Sequence, residues 1–229
     1  MAQKLGCWDL VNAVLPLATR LLLYGPPGTG KTRQGLTGGL RSAQEVFSIT
    51  LTEDTPAAEL RGHYVPVDGR FVWRDGPALA AWRAGARLVV NELDHASGDV
   101  LTFLLAILDD HEMARVTLPT NETVRPADGF SVVATMNGDP DTLPAPLRDR
   151  FPIALEVNAV HPGALQALNP DIQKAARDTV ALPAERRISI RAWQAFGQLR
   201  PALGEELATR VVFGQRAGDV LDALKLARG

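Results

Sequence analysis

Eight consecutive residues, Gly25-Pro26-Pro27-Gly28-Thr29-Gly30-Lys31-Thr32, carry the strongest chemical signal in the chain. They fit the pattern G-x-x-x-x-G-K-[ST]. They follow a short apolar run and open a stretch that reads as a helix, which is the context the pattern requires. The glycines let successive backbone N–H groups turn inward, and such a nest at a helix N-terminus binds anions. Lys31 would set a point charge on the β- and γ-phosphates of a nucleotide, and the Thr32 hydroxyl would ligate Mg2+. The chain has only four lysines (Lys4, Lys31, Lys174, Lys225) among its 24 basic residues, and one stands where an ammonium is needed. A phosphate loop also needs a second strand whose end holds the metal and polarises water. Leu88-Val89-Val90-Asn91-Glu92, about 60 residues further on, is the candidate.

These groups must be held by regular elements, and the punctuation of the sequence predicts alternating strands and helices. Strands are expected at 20–24, 46–51, 88–90, 130–135 and 153–157. Hairpins are expected at 64–67 with 70–73, around Asp68-Gly69, and at 115–118 with 122–125. Helices are expected at 31–43, at 77–84 with Pro77 at its start, and from a Ser97 or Asp99 cap to Asp109. Gly35, Gly38 and Gly39 weaken the first of these by about 1 kcal/mol each. After Val160 only helical patterns remain, at 162–168, 169–180, 189–199, 205–212 and 217–228. Strands interleaved with helices imply a parallel α/β sheet. The chain is therefore read as an α/β core over 1–158 followed by a small all-helical domain over 159–229, with the boundary near 158–162.

Composition removes several function classes. A chain of 229 residues with 46% hydrophobic and 22% charged residues is globular and needs no staples. One cysteine, Cys7, forbids an internal disulfide, and the scattered His63, His95, His111 and His161 show no zinc-site spacing. The net charge of -2, without a basic stripe, argues against nucleic acid as a ligand. The arginine excess is compositional. The N-terminal apolar stretch is broken by Asp9, Asn12, Pro16 and Arg20, so neither a membrane span nor a leader is expected, and a cytoplasmic location is. Trp8, Trp82 and Trp193 read as core. Phe71 and Trp73 read as packing residues of the first hairpin, with a partner-contact role as the alternative. Asp109-Asp110-His111-Glu112 reads as a solvated helix end, with a contact to a basic residue of a neighbouring subunit as the alternative.

Together, Gly25–Thr32, Asn91-Glu92-Leu93-Asp94, Ala134-Thr135-Met136-Asn137 and Leu147-Arg148-Asp149-Arg150-Phe151 resemble, in order and spacing, the motifs of AAA+ ATPases. The chain is most similar to the branch with the MoxR-type, midasin and dynein-related modules. In that branch, hairpin inserts occupy the positions of 62–73 and 115–125. The resemblance implies a P-loop NTPase core with a central parallel sheet, a helical lid, and ATP with Mg2+ as ligands. It implies that Glu92 activates the attacking water and that Asn137 is the sensor-1 residue fixing that water. Arg150 would be the arginine finger reaching a neighbouring subunit's site, with Arg148 as the competing choice. Arg191, in the first turn of a lid helix capped by Ser189, would be the sensor-2 arginine. The chain departs from the family at Asn91, where Asp is usual. Asn keeps an acceptor for a Mg2+-bound water but loses the charge, so slower hydrolysis or weaker Mg2+ affinity is expected, without loss of nucleotide binding, and Asn91→Asp should hydrolyse faster; Asp94 offers a substitute carboxylate.

The resemblance further implies a homo-oligomer, a hexameric ring, that remodels or activates a partner protein, in relatives often a von Willebrand A-domain protein. Two other readings are an ATP-dependent assembly switch with weak hydrolysis and a nucleic-acid-linked, restriction-type NTPase. As the chain stands, specificity for a substrate is expected to reside in the inserts, the lid surface or a separate protein.

Overall fold

The computed structural model of the chain describes residues 5–180, 182 and 187–228, so Lys4 lies outside the described residues. The chain forms two compact units. One takes in the residues up to Gly25 and Lys31–Glu156, and the other Pro26–Gly30 and the residues from Val157 onward.

The strands of the first unit are β1 (Arg20–Tyr24), β2 (Val46–Thr50), β3 (Gly62–Val67), β4 (Arg70–Asp75), β5 (Arg87–Asn91), β6 (Val116–Thr117), β7 (Thr123–Val124), β8 (Ser131–Thr135) and β9 (Ile153–Glu156). Five of them make one parallel sheet in the order β2-β5-β8-β1-β9, and β3-β4 and β6-β7 are separate antiparallel hairpins. A parallel sheet is covered on both faces, so its inner strands read as unbroken apolar runs. Leu21–Leu23, Leu88–Val90 and Val132–Ala134 are all 2% exposed or less, which is why these strands were legible. The register places Leu22, Ala134 and Val90 in one row. The C-terminal ends of β1, β8 and β5 are therefore level, and the residues that follow them emerge along one edge.

The helices of this unit are α1 (Cys7–Val14), α2 (Lys31–Thr37), α3 (Ala57–Arg61), α4 (Pro77–Ala84), α5 (Gly98–Ile107) and α6 (Ala145–Asp149). Three of these, α1, α3 and α6, are absent from the sequence reading. At five residues α3 and α6 are too short to show a period, and α1 lies in the stretch weighed as a targeting segment. The expected helix over 31–43 is corrected to Lys31–Thr37. Gly38 follows, and Gly39 adopts φ +53, a left-handed conformation that ends the helix. The Arg87 guanidinium then donates to the carbonyls of Gly35, Gly38 and Gly39 at 3.1, 2.6 and 3.2 Å. A cation at the carbonyl end of a helix suits its dipole. Gly35 is needed for packing rather than for its backbone freedom. A Cβ there would meet Val133 and Val89 at 3.2 and 3.3 Å, so its absence lets α2 lie close on β8 and β5.

Trp8 and Trp82 are buried as expected, at 5% and 0% exposure. Phe71 departs from its expectation as a packing residue: it is 76% exposed on the first hairpin. Trp73 is half-buried, edge-on to Tyr64, and its indole donates to Asp75 at 2.7 Å.

The second unit carries α7 (Pro162–Gln166), α8 (Pro170–Val180), α9 (Ile190–Leu203), α10 (Glu205–Phe213) and α11 (Ala217–Arg228). Its own core includes Ile172, Trp193, Phe196, Ala208, Val220 and Leu224, all fully buried. Helix α9 runs through Pro201 to Leu203 rather than stopping at Leu199. Among the described residues, no helix is long and apolar enough to cross a membrane.

Trp193 has no exposed surface, stacks edge-on with Phe196 and donates to the Thr179 hydroxyl at 2.9 Å. Trp193→Ala therefore leaves a cavity and removes the indole bond, while the Thr179 hydroxyl keeps its own bond to the Ala175 carbonyl, and should cost about 3–5 kcal/mol. Hydrogen exchange should show protection in α8 and α9 falling accordingly; unchanged protection would contradict this account of the core.

Candidate nucleotide site

The loop between β1 and α2 has the backbone that anion binding requires. Gly25, Gly28 and Gly30 adopt φ of +123, +76 and +112, values open to glycine and costly for other residues. Thr29 is 2% exposed and its hydroxyl donates to the Pro26 carbonyl at 3.2 Å. Lys31, the first residue of α2, is 6% exposed. Its ammonium donates to the Gly25 carbonyl at 2.8 Å and to Asn137 Oδ1 at 3.1 Å. Burial pushes its pKa down to about 8, against the pull of Glu92 and Asp94. Thr32 is exposed.

The acidic half stands at the ends of β5 and β8. Glu92 leaves β5 with φ +55 and ψ +51, a strained conformation for a residue with a side chain. Its Oε2 accepts from Asn137 Nδ2 at 2.5 Å. Asn137 thus holds Lys31 through its oxygen and Glu92 through its nitrogen. The turn after Glu92 also brings Asp94 and His95 round: donor atoms of the three residues lie within 4.8 Å of one another. Asn91 is 5% exposed and bound sideways, its Oδ1 accepting from the Thr135 hydroxyl at 3.1 Å and its Nδ2 donating to the Ile49 carbonyl at 3.4 Å.

The arginines lie elsewhere in the chain. Arg150, just after α6, is 3.2 Å from Asp109 and 3.6 Å from Asp149, and its Nε is buried without a partner. Arg148 pairs with Asp141 at 2.6 Å. Within the second unit, Ser189 caps α9 by accepting from the Ala192 N–H at 3.2 Å, and Arg191 is exposed in its first turn. A Cβ placed on Gly28 would stand 3.6 Å from the Ser189 Cβ, so the phosphate loop and the start of α9 are neighbours. The His161 N–H donates to the Thr29 carbonyl at 2.8 Å.

These donors fit a nucleoside triphosphate: a positive-φ glycine loop, a buried ammonium and the N-terminus of a helix. Thr32 with Glu92 and Asp94 offers the hard oxygen ligands that suit Mg2+. Sequence reasoning named the members of this set but missed their joining through Asn137 and the sideways bonds of Asn91. Both cross from strand to strand, and no spacing along the chain announces them.

Residues 20–151 match the family model described as AAA domain (dynein-related subfamily), which is more than half of the chain. The chain belongs to the dynein-related AAA family. Protein NorQ of Paracoccus denitrificans (strain Pd 1222) is 30% identical over 200 residues, 84% of this chain and 70% of that protein. A midasin of Dictyostelium discoideum is 33% identical over 153 residues, 62% of this chain but only 3% of that protein. The solved structure of NtrX from Brucella abortus in complex with ATP is similar in fold, with a TM-score of 0.53 at 15% identity, covering 99% of this chain and 69% of that one. A putative ATPase from Cytophaga hutchinsonii has a TM-score of 0.50 at 16% identity, covering 96% of this chain and 80% of that one. The expected architecture, an AAA+ α/β core with a parallel sheet and a helical C-terminal region, is the one found.

Two predictions follow from the geometry. A bound phosphate would raise the pKa of Lys31 above its value of about 8 in the free protein. Binding then takes up a proton above that pH, and affinity falls as pH rises, by up to about tenfold per unit. Calorimetry at pH 8.5 in buffers of different ionisation enthalpy should show the uptake, and at pH 6.5 should not. The second concerns Asn91→Asp. A carboxylate cannot donate to the Ile49 carbonyl, so this variant should lose about 1–3 kcal/mol in denaturant unfolding. A variant as stable as the parent would show that the amide bond to β2 contributes nothing.

Proposed function

We propose that the chain is a ring-forming ATPase that binds and hydrolyses ATP and uses the cycle to remodel or activate a partner protein. The observation that carries this reading is the Lys31–Asn137–Glu92 chain of hydrogen bonds beside the phosphate loop. It joins the group suited to hold phosphate to the group suited to activate water. In this reading Gly25–Thr32 binds the phosphates and Lys31 leaves its present acceptors for them. Glu92 accepts the proton of the attacking water while Asn137 fixes its position. Thr32 and, through water, Asn91 would hold Mg2+, with Asp94 as a further carboxylate, and the ion would supply charge neutralisation on the phosphates. Arg150 serves a neighbouring subunit's site, because a guanidinium stabilises charge spread over the transferring phosphoryl group. That role requires a ring of copies, by resemblance a hexamer. Arg191 is, by the same resemblance, the sensor-2 arginine. The resemblance of the chain's motifs to the MoxR-type and midasin-like branch is the ground for a maturation or chaperone-like role on a partner protein, of which a von Willebrand A-domain protein is the type we favour.

A second reading, an assembly switch that holds ATP and turns it over slowly, draws on one observation. Asn91 brings no charge to the metal and its amide is already bonded to both neighbouring strands.

The test is hydrolysis by Glu92→Gln. Turnover should fall by about a hundredfold or more while ATP affinity stays within a few-fold of wild type. Arg150→Ala should be equally inactive, and mixing the two inactive variants should restore part of the activity, since each supplies what the other lacks. Normal turnover by Glu92→Gln would overturn the assignment. Failure of the mixture to recover would remove Arg150 from the neighbouring site.

A further inference from the structure

Away from the nucleotide loop, helices α3 and α5 border a groove of about 640 Å³. Its wall is apolar, with Ala57, Phe103, Ala106 and Val116. Two guanidiniums line it as well, those of Arg61 and Arg115. Among the described residues neither has a hydrogen-bond or ion-pair partner, and the Arg61 Nε is buried without one. Asp99 also borders the groove, but its carboxylate is taken up by the Ala57 and Val100 N–H groups and the Ser97 hydroxyl. Those bonds hold it ionised and away from the arginines, so the lining carries two cations against one anion.

The two hairpins next to the groove are tied to each other. Arg61 is the last residue of α3 and directly precedes β3, while Arg115 directly precedes β6. Both hairpins thus begin at residues that line the groove. Arg83 of α4 ties them together, donating to Asp75 at the end of β4 at 2.6 Å and to both Glu122 oxygens, just before β7, at 2.6 and 2.8 Å. A site whose sides are already fixed loses less entropy when it is filled.

We infer that this groove binds an acidic segment of a partner protein, with an apolar side chain on its floor and carboxylates paired to Arg61 and Arg115. A volume of this size takes a few side chains and suits a short peptide. Nucleic acid fits less well. Two cations over an alanine-rich floor offer neither a phosphate track nor a stacking platform, and the chain carries a net charge of -2. The inference names the chemistry of the partner proposed above and so rests on that reading, but the binding itself needs no hydrolysis.

The test is selection of a phage-displayed library of random ten-residue peptides on the intact protein without nucleotide, with ATPase activity measured on the same preparation. Enriched peptides should carry acidic residues beside an apolar one. A synthetic representative should bind about a hundredfold or more weakly to Arg61→Ala/Arg115→Ala, each lost charge-assisted bond being worth about tenfold. It should bind more weakly still to the double glutamate variant. Arg115→Ala alone, at an exposed position, serves if the double variant melts early. No enrichment, enrichment without acidic bias, or equal affinity for the variants would overturn the proposal. So would a variant that binds peptide normally but no longer assembles, since the groove would then be a contact between copies. Loss of ATPase activity with peptide binding intact would count against the proposed function and leave the groove standing.

Discussion

A buried ammonium is the constraint on which the site depends. Lys31 is nearly inaccessible to water, and a charge so placed must find hydrogen-bond acceptors or lose its proton. Its pKa, lowered to about 8, records how incompletely its acceptors replace water. The Gly25 carbonyl and Asn137 Oδ1 serve only because β1 and β8 end at the same level, and that level is set by their pairing from Arg20 with Val132 to Leu23 with Thr135. The apolar sheet thus fixes the position of a charge.

The same logic explains the polar residues at the strand ends. Asn137 is useful there because an amide accepts and donates at once, and it meets a cation on one side and a carboxylate on the other. Asn91 uses the same property across the sheet, joining β2 to β8. The Asn at the position where the family usually has Asp then has a structural cause. The amide adds a long bond of 3.4 Å to the Ile49 carbonyl beside the β2–β5 ladder, where a carboxylate would bring an acceptor against an acceptor.

Much of the fold was legible because its strongest signals are local. The apolar runs of β1, β5 and β8, the Pro77 start of α4 and the Asp68-Gly69 turn each announce themselves within a few residues. The glycine loop with Lys31 and Thr32 did so as well. What escaped was either too short or too distant. Helices α3 and α6 show no period, and Gly38-Gly39 stopped α2 where its helical pattern ran on. The pairing of Arg150 with Asp109, and of Arg87 with the end of α2, joins residues about 40 to 50 positions apart. Phe71 misled for a different reason: a hairpin outside the main sheet has no second layer to bury it, so hydrophobicity does not predict burial there.

Arg87 and Glu92 lie at opposite ends of one strand, and Lys31 and Gly38 at opposite ends of one short helix. The guanidinium binds the far end of α2, and Asn137 bridges the near end to Glu92. A helix of seven residues is about 10 Å long, and a strand of five only slightly longer. Strand and helix therefore form two sides of a small closed frame, pinned at both corners. A phosphate arriving at one corner unpins only that corner. The Arg87 corner and the close packing of Gly35 on β8 and β5 do not depend on it.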